Sequence, residues 1–391
     1  MNKNVIVVVA YNRPRSLERI LNILSKSYYS ENVDLIISID RSEIYTQLKD
    51  IGDNFNWAYG DKNVIVREKR LGLRKHILAC GDLVANYKGL IMFEDDIVPS
   101  KYFYHYSRLA LDFYQDDKNI GGISLYSPDI NEMVEKPFIP LKNEYSVFFM
   151  QSASSWGQAW TKDMWLNFRE WYNKNNKPLK SQGDMPEKIY SWPETSWKKY
   201  YMKYLVVNNK YFVYPFDSLS TNFNDVGQHA KFESAMYQVP LVTSKLYYNF
   251  PNFVNGVKYD SFYENQDLEI LLEGEYLKSE ICVDIYGTKK YFNKYQYLLT
   301  TNSYNLALAH QYGLSYKPHE LNILMDNPGN EIKLYKLQDD KKLNDSKLKQ
   351  SPSFETIIYY SNLNWKDALY IGIKGFSKTF KRKLKEMVNF K

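Results

Sequence analysis

Unbroken apolar runs alternate with apolar stripes at helical spacing through the first third of the chain. Val5-Ile6-Val7-Val8-Val9 is β-branched and uninterrupted, the pattern of a parallel strand buried on both faces. It ends in Tyr11-Asn12-Arg13-Pro14, and Pro14 suits the first turn of a helix. Leu17, Ile20, Leu21 and Leu24 then fall on one helical face. Val33 to Ile39 predicts a second strand ending at Asp40, and Val64-Ile65-Val66 a third. Leu73, Ile77, Cys80 and Val84 form the next helical stripe and lead into Gly89-Leu90-Ile91-Met92-Phe93. Strand, helix, strand, strand, helix, strand at these spacings predicts an α/β sheet built from crossover units.

Beyond the fourth strand, Pro99 and Ser100 signal the start of a helix carrying Phe103, Tyr106, Ala110 and Phe113. Ile120 to Leu125 and Tyr145 to Met150 read as further strands. Gln151 to Trp160 mixes small polar residues with tryptophans. That suits a loop whose flat faces contact a sugar ring, or one whose tryptophans anchor the core. Thr161 can cap a helix bearing Trp165, Phe168 and Trp171. Asn173 to Pro193 reads as a loop or lid, Trp197, Tyr201 and Leu205 as a helix, Tyr211 to Tyr214 as a strand and Ser220 to His229 as loop. From residue 240 to 345, aromatic β-like runs (Leu246 to Phe250, Ile281 to Tyr286, Ile332 to Leu337) surround one expected helix near Tyr304 to Tyr312. Three units are thus expected: 1–239, a smaller α+β module at 240–345, and a linker with a tail at 346–391.

Charge changes the picture at two places. The formal net charge is +6, and Lys374 to Lys391 alone holds seven Lys or Arg and one Glu. The remainder is neutral, so the pI implies no general nucleic-acid role. Phe376, Phe380, Leu384 and Met387 or Val388 share one face of that segment, which suits a basic amphipathic helix on an anionic bilayer or one docked on the protein. The second place is Glu94-Asp95-Asp96, three carboxylates arriving together at a strand end. Adjacent acids repel, so a fold keeps them solvated or sets a cation among them. In open α/β sheets the ligand crevice lies at such strand ends.

The two cysteines, Cys80 and Cys282, form no metal-binding pattern and suggest a reducing compartment. The apolar run at Val5 to Ala10 falls far short of a membrane span, and the expectation is a cytoplasmic protein.

Val7 to Pro14, Ser38-Ile39-Asp40, Leu71-Gly72-Leu73-Arg74 and Phe93 to Asp96 occur in the order and spacing of GT-A glycosyltransferases. The chain most resembles the N-acetylglucosaminyltransferase I-like, inverting group, including bacterial relatives of surface-polysaccharide synthesis, over roughly residues 4 to 235. The resemblance implies a Rossmann-like mixed sheet flanked by helices and a nucleotide-sugar donor, by likeness a UDP-sugar. It also implies Mn²⁺ or Mg²⁺ and a glycan or lipid-linked glycan acceptor. It makes Asp96 the metal ligand, with Glu94 and Asp95 assisting through water or donor hydroxyls. Ala10, Asn12, Arg13 and Asp40 fall where the group holds the nucleoside, although Asp40 can equally cap a turn. Arg70 or Arg74 would meet the diphosphate, Trp156 the donor, and His229 the metal or diphosphate.

Inverting transfer also needs a general base. Glu194 matches the group's place for it but departs from the usual Asp, and Asp184 and Glu187 are rivals. Cys282 to Gly287 and Lys317 to Asn322 look similar to a C-terminal module of some bacterial members. Two other classes remain open. A sugar nucleotidyltransferase should carry a Gly-rich phosphate loop after its first strand, and Tyr11 to Pro14 has none. A non-catalytic glycan-binding scaffold would bind glycan without metal-dependent nucleotide binding.

Overall fold

The computed structural model describes residues 3–223, 225, 236–268, 281–292 and 294–337. Between 364 and 377 it describes all but 368, 371 and 376. Four parallel strands open the chain: β1 (Val5–Ala10), β2 (Asp34–Ile39), β3 (Lys62–Val66) and β4 (Gly89–Glu94). Helices α1 (Pro14–Leu24), α2 (Tyr45–Asn54) and α3 (Leu73–Gly81) connect them. Every residue of β1 and β2 is buried, as the unbroken apolar run of β1 and the Leu35-Ile36-Ile37 run of β2 demand. Pro14 occupies the first turn of α1, whose Leu17, Ile20, Leu21 and Leu24 face the core.

The chain continues through β5 (Ile97–Pro99), α4 (Phe103–Tyr114), β6 (Ile120–Ser124), a hairpin of β7 (Ile130–Asn131) with β8 (Lys136–Pro137), and β9 (Val147–Met150). Next come β10 (Gln158–Thr161), α5 (Lys162–Lys174), α6 (Glu187–Tyr190), α7 (Trp197–Val207), β11 (Tyr211–Pro215), β12 (Ser220–Asn222) and β13 (Lys258–Tyr259). The large sheet runs β13-β9-β11-β6-β10-β4-β1-β2-β3, with β10 antiparallel to both β4 and β6. It is a mixed sheet flanked by helices. Because β2 lies on one side of β1 and β4 on the other, the strand order reverses between β1 and β4. Ligand crevices of open α/β sheets sit at the carboxyl ends of such strands.

A second sheet, β14-β15-β17-β16, is built from β14 (Ile281–Asp284), β15 (Tyr297–Thr300), β16 (Ala307–Tyr312) and β17 (Ile332–Lys336), with α8 (Glu320–Leu324) beside it. Its core is Leu268, Ile281, Val283, Leu299, Ile332 and their neighbours.

The helix expected at Tyr304 to Tyr312 is instead strand β16. Ala307, Leu308 and Gln311 are helix formers, but they pair with β17 as an exposed sheet edge, and tertiary pairing overrides propensity. Within the expected loop Gln151 to Trp160, the last three residues belong to β10. Leu246 to Phe250 is irregular rather than β. The 173–193 loop carries α6 and buries Met185 and Ile189. β13 joins the large sheet, so the sheets do not divide at residue 239. His229, most of the 346–391 unit and the apolar face at Phe376 to Val388 lie outside the described residues.

Candidate active site

Strand register builds the site. Val9 pairs with Glu94 in the β1/β4 ladder, and the Asp95 N–H donates to the Val9 carbonyl at 3.1 Å. The two chain exits are therefore neighbours, and Arg13, three residues past β1, falls against the acids. Its guanidinium reaches the Asp96 Oδ2 at 2.8 Å and also binds Asp95 Oδ1. Asp95 is 2% exposed, and its Oδ2 is buried with no hydrogen-bond partner. Burial pushes the Asp95 carboxyl up to about 6 against the opposing pull of Arg13. Burial and then the neighbouring Asp96 push Glu94 up to about 8. With Glu94 protonated at neutral pH, one guanidinium still faces the two carboxylates of Asp95 and Asp96, and negative charge is in excess.

These residues line a cavity of about 480 Å³, within the range of small-molecule sites. Ala10, Asn12, Arg13, Asp40, Arg70, Glu94, Asp95, Asp96 and Trp156 all line it. Arg70 sits over the Tyr11 ring, 5.0 Å from its centroid. Asp40 is 2% exposed and braces the following loop: it accepts from the N–H groups of Leu71 at 2.8 Å, Gly72 at 2.9 Å and Arg41 at 2.9 Å. Gly72 takes φ of 74° there, a backbone shape that favours glycine. His76 lines the same wall, bonded to the Ser38 hydroxyl at 2.8 Å. Burial lowers its imidazole to about 4, so it is neutral at pH 7.

The structure separates the two tryptophans of the Gln151 to Trp160 stretch. Trp160 is fully buried against Trp165, Trp197 and Tyr201 and anchors the core. Trp156 faces the cavity and stacks on Tyr237 at 5.1 Å and 26°.

Four residues with expected chemistry, Glu194, Asp184, Glu187 and Arg74, stand outside the lining, and Glu187 accepts from the Ser181 hydroxyl. Glu194 accepts from Lys199 Nζ at 2.7 Å and from the Tyr200 hydroxyl, with Arg74 3.8 Å away. Burial opposes its charge, yet these partners hold its carboxyl below the usual range. Asp184 is bound by Lys203 and Tyr190. Arg74 lies over the Tyr200 ring at 4.9 Å. Its neighbours Leu73 and Gly72 reach the cavity, as do Ser196 and Trp197 beyond Glu194.

Sequence reasoning passed over Asp225, Glu132, Trp192 and Lys198, all of which line the cavity. Asp225 accepts from Ser16 at 2.6 Å and pairs with Arg19, whose guanidinium covers Phe223 at 3.7 Å. Phe223 in turn donates its N–H to the Asp96 carbonyl at 2.7 Å. These partners are far apart in sequence and sit in no motif, so only the β5/β12 pairing reveals them.

Whether the acids fit a hard divalent cation turns on their chemistry and grouping. Among the described residues no three His, Cys, Asp or Glu groups converge as a cage. Mg²⁺-type sites commonly use one or two carboxylates and complete the shell with water and substrate phosphates. Asp95 and Asp96, with an orphaned buried oxygen and surplus negative charge, fit that kind of site.

The sequence matches no protein-family model and no curated protein. Among solved structures, S. aureus TarS 1-349 in complex with UDP-GlcNAc is similar at 13% identity and TM-score 0.39, over 58% of this chain and 60% of that chain. The mannosyltransferase PcManGT from Pyrobaculum calidifontis, in complex with GDP-Man and Mn²⁺, is similar at 9% identity and TM-score 0.30, over 41% of this chain and 45% of that one. A cytidylyltransferase from Leptospira borgpetersenii follows at 13% identity and TM-score 0.27, covering 44% and 65%. The chain thus spans about three fifths of the TarS fragment. Likeness at this level carries no information on substrate or reaction.

Proposed function

We propose that the chain is a metal-dependent, inverting GT-A glycosyltransferase. It would move a hexosyl or N-acetylhexosaminyl unit from a nucleotide diphosphate-sugar, by family resemblance a UDP-sugar, to a hydroxyl of a surface glycan. The observation that carries this reading is the acidic end of β4 beside Arg13, at the strand-order reversal of the sheet and inside one aromatic-walled cavity. A nucleotide diphosphate leaving group concentrates negative charge, and Arg70, which lines the cavity on the Asp40-braced loop, would meet it. Asp96 and Asp95 would hold Mn²⁺ or Mg²⁺, which when bound offsets the charge developing on the departing diphosphate.

In the transfer the acceptor oxygen bonds to the anomeric carbon as the carbon–oxygen bond to the diphosphate breaks, its electrons leaving with the nucleotide. The hydroxyl proton passes to a carboxylate. We assign Glu194, because Ser196 and Trp197 in the same turn reach the cavity. To take the proton it must exchange Lys199 and Tyr200 for the acceptor.

Release of UDP from a panel of UDP-sugars with Mn²⁺ tests the reading. Asp96→Ala should abolish the metal-dependent turnover, and equal turnover by wild type and variant would refute the ligand assignment. Glu194→Gln should lower kcat by about 10² to 10⁴ while donor affinity holds. Asp184→Asn, a change on a carboxylate tied to Lys203, should leave kcat near wild type; the reverse pattern would move the base to Asp184.

A further inference from the structure

Helix α7 opens against the usual electrostatic rule. Its first turn carries Lys198 and Lys199 and no acid, although the helix dipole there favours anions. Lys198 is also 8% exposed, a burial that lysine rarely tolerates unless paired. Its Nζ donates to Glu132 Oε1 at 2.5 Å and lies 5.5 Å from the Trp156 ring centroid and 5.3 Å from that of Trp192. Glu132 follows β7 and also accepts from the Tyr263 hydroxyl at 3.4 Å. Sites where a fold breaks a local rule are where function is to be sought.

Glu132, Trp156, Trp192, Lys198 and Tyr237 all line the cavity that holds the acidic strand end. Their chemistry differs from that end. The ammonium and carboxylate neutralise one another, so this wall offers hydrogen-bond donors and acceptors without net charge. Around them the indole and phenol faces suit the C–H faces of a sugar ring. We infer that Glu132, Lys198, Trp156, Trp192 and Tyr237 form a subsite for an uncharged pyranose, selected against a uronate. A uronate would bring a second carboxylate beside Glu132 while Lys198 is already committed to Glu132 and Lys188, which binds the Glu132 carbonyl at 2.8 Å, is paired with Glu135. The inference deepens the proposed glycosyl transfer by naming the sugar class, and rests on that reading only for the nucleotide. The ring can belong to donor or acceptor, and the chemistry is common to both.

The test is calorimetry on the full chain with Mn²⁺, in two arms. The donor arm compares UDP, UDP-glucose and UDP-glucuronate; the acceptor arm compares methyl glucoside and methyl glucuronide. Wild type should favour the neutral ligand by about tenfold or more in the arm that fills the subsite. Glu132→Gln frees Lys198 and should shift that preference by about tenfold toward the uronate. Lys198→Met should lose the neutral-sugar contribution with UDP affinity unchanged. A purely structural pair would not move the ratio between neutral and acidic sugar. Should Lys198→Met fail to fold, the near-isosteric Glu132→Gln and the wild-type ratio decide. Equal affinity for neutral and acidic sugars in both arms overturns the subsite. If UDP fails to bind while the glucoside preference persists, the nucleotide reading falls and the subsite stands as an acceptor site.

Discussion

Single residues show how charge is handled where water is excluded. Asp284 is fully buried; its Oδ1 accepts from the N–H groups of Thr288 at 2.7 Å and Lys289 at 2.9 Å, while its Oδ2 has no partner. Asp260, Glu264 and Lys289 share the region, with Lys289 held by Asp260 at 2.7 Å. Burial raises the Asp284 carboxyl to about 7, opposed by the N–H of Lys289. An acid raised on folding keeps a proton that the unfolded chain has lost. Between its ordinary value near 4 and about 7, stability therefore falls as pH rises, and it levels off above that window. Asp284→Asn keeps the acceptor without the charge. Relative to wild type, the variant should gain up to about 4 kcal/mol on going from pH 4 to pH 8 in urea unfolding. Parallel pH profiles would show that Asp284 does not titrate in this window. Asp96, Arg13 and Asp40 were legible in the sequence because each follows a strand, where the chain must enter the crevice. Glu132, Lys198 and Asp225 were not: nothing local marks them, and their partners lie 66 and 206 residues away.

Elements were legible where their pattern is extreme. β1 and β4 carry unbroken apolar runs and β2 one broken only by Ser38, and α1 and α5 show their stripes and start signals, including the Thr161 hydroxyl that accepts from Met164 N–H at 3.2 Å. α2 escaped notice because only Leu48 and Gly52 of its residues are buried, too little for a stripe. β16 was hidden by helix-forming residues on an exposed edge. The turn before α3 gives a clean test of how an element positions the site. An added Cβ at Gly72 meets nothing within 4 Å, so Gly72→Ala brings backbone strain alone at φ of 74°. Such strain costs of order 1–3 kcal/mol, or is relieved by turning the peptide away from Asp40. Since Arg70 stands on that turn, nucleotide affinity should fall with stability, read by calorimetry and thermal unfolding. Weaker binding without any loss of stability would mean that the turn had relaxed; an unchanged protein would deny it the positioning role.

At the scale of the whole molecule, the net positive charge is concentrated at one end of the chain, next to a run of exposed apolar side chains. Among the described residues no helix is long and apolar enough to cross a membrane. Described residues between 365 and 377 are helical, and Trp365, Leu369, Tyr370 and Ile373 are 67%, 57%, 58% and 61% exposed. Spaced four, five and eight positions from the first, they share one side of a helix. Lys366 falls among them and Lys374 at their edge, and six more basic residues follow to Lys391. A core contact would have covered such side chains, whereas an interfacial helix leaves them for the acyl boundary with its lysines toward anionic headgroups. We propose that this segment holds the enzyme at the cytoplasmic face of a membrane, beside a lipid-linked acceptor. Each basic residue near an anionic surface contributes about 1 kcal/mol, screened by salt. The full chain should sediment with vesicles containing anionic lipid, less so in high salt, and hardly at all with neutral vesicles. Removing residues 374–391 should abolish the salt-sensitive part while nucleotide binding in solution stays intact. Trp365→Ala should weaken what remains, since the aromatic contact does not depend on charge. Unchanged lipid binding after the truncation would show that the basic tail serves another surface.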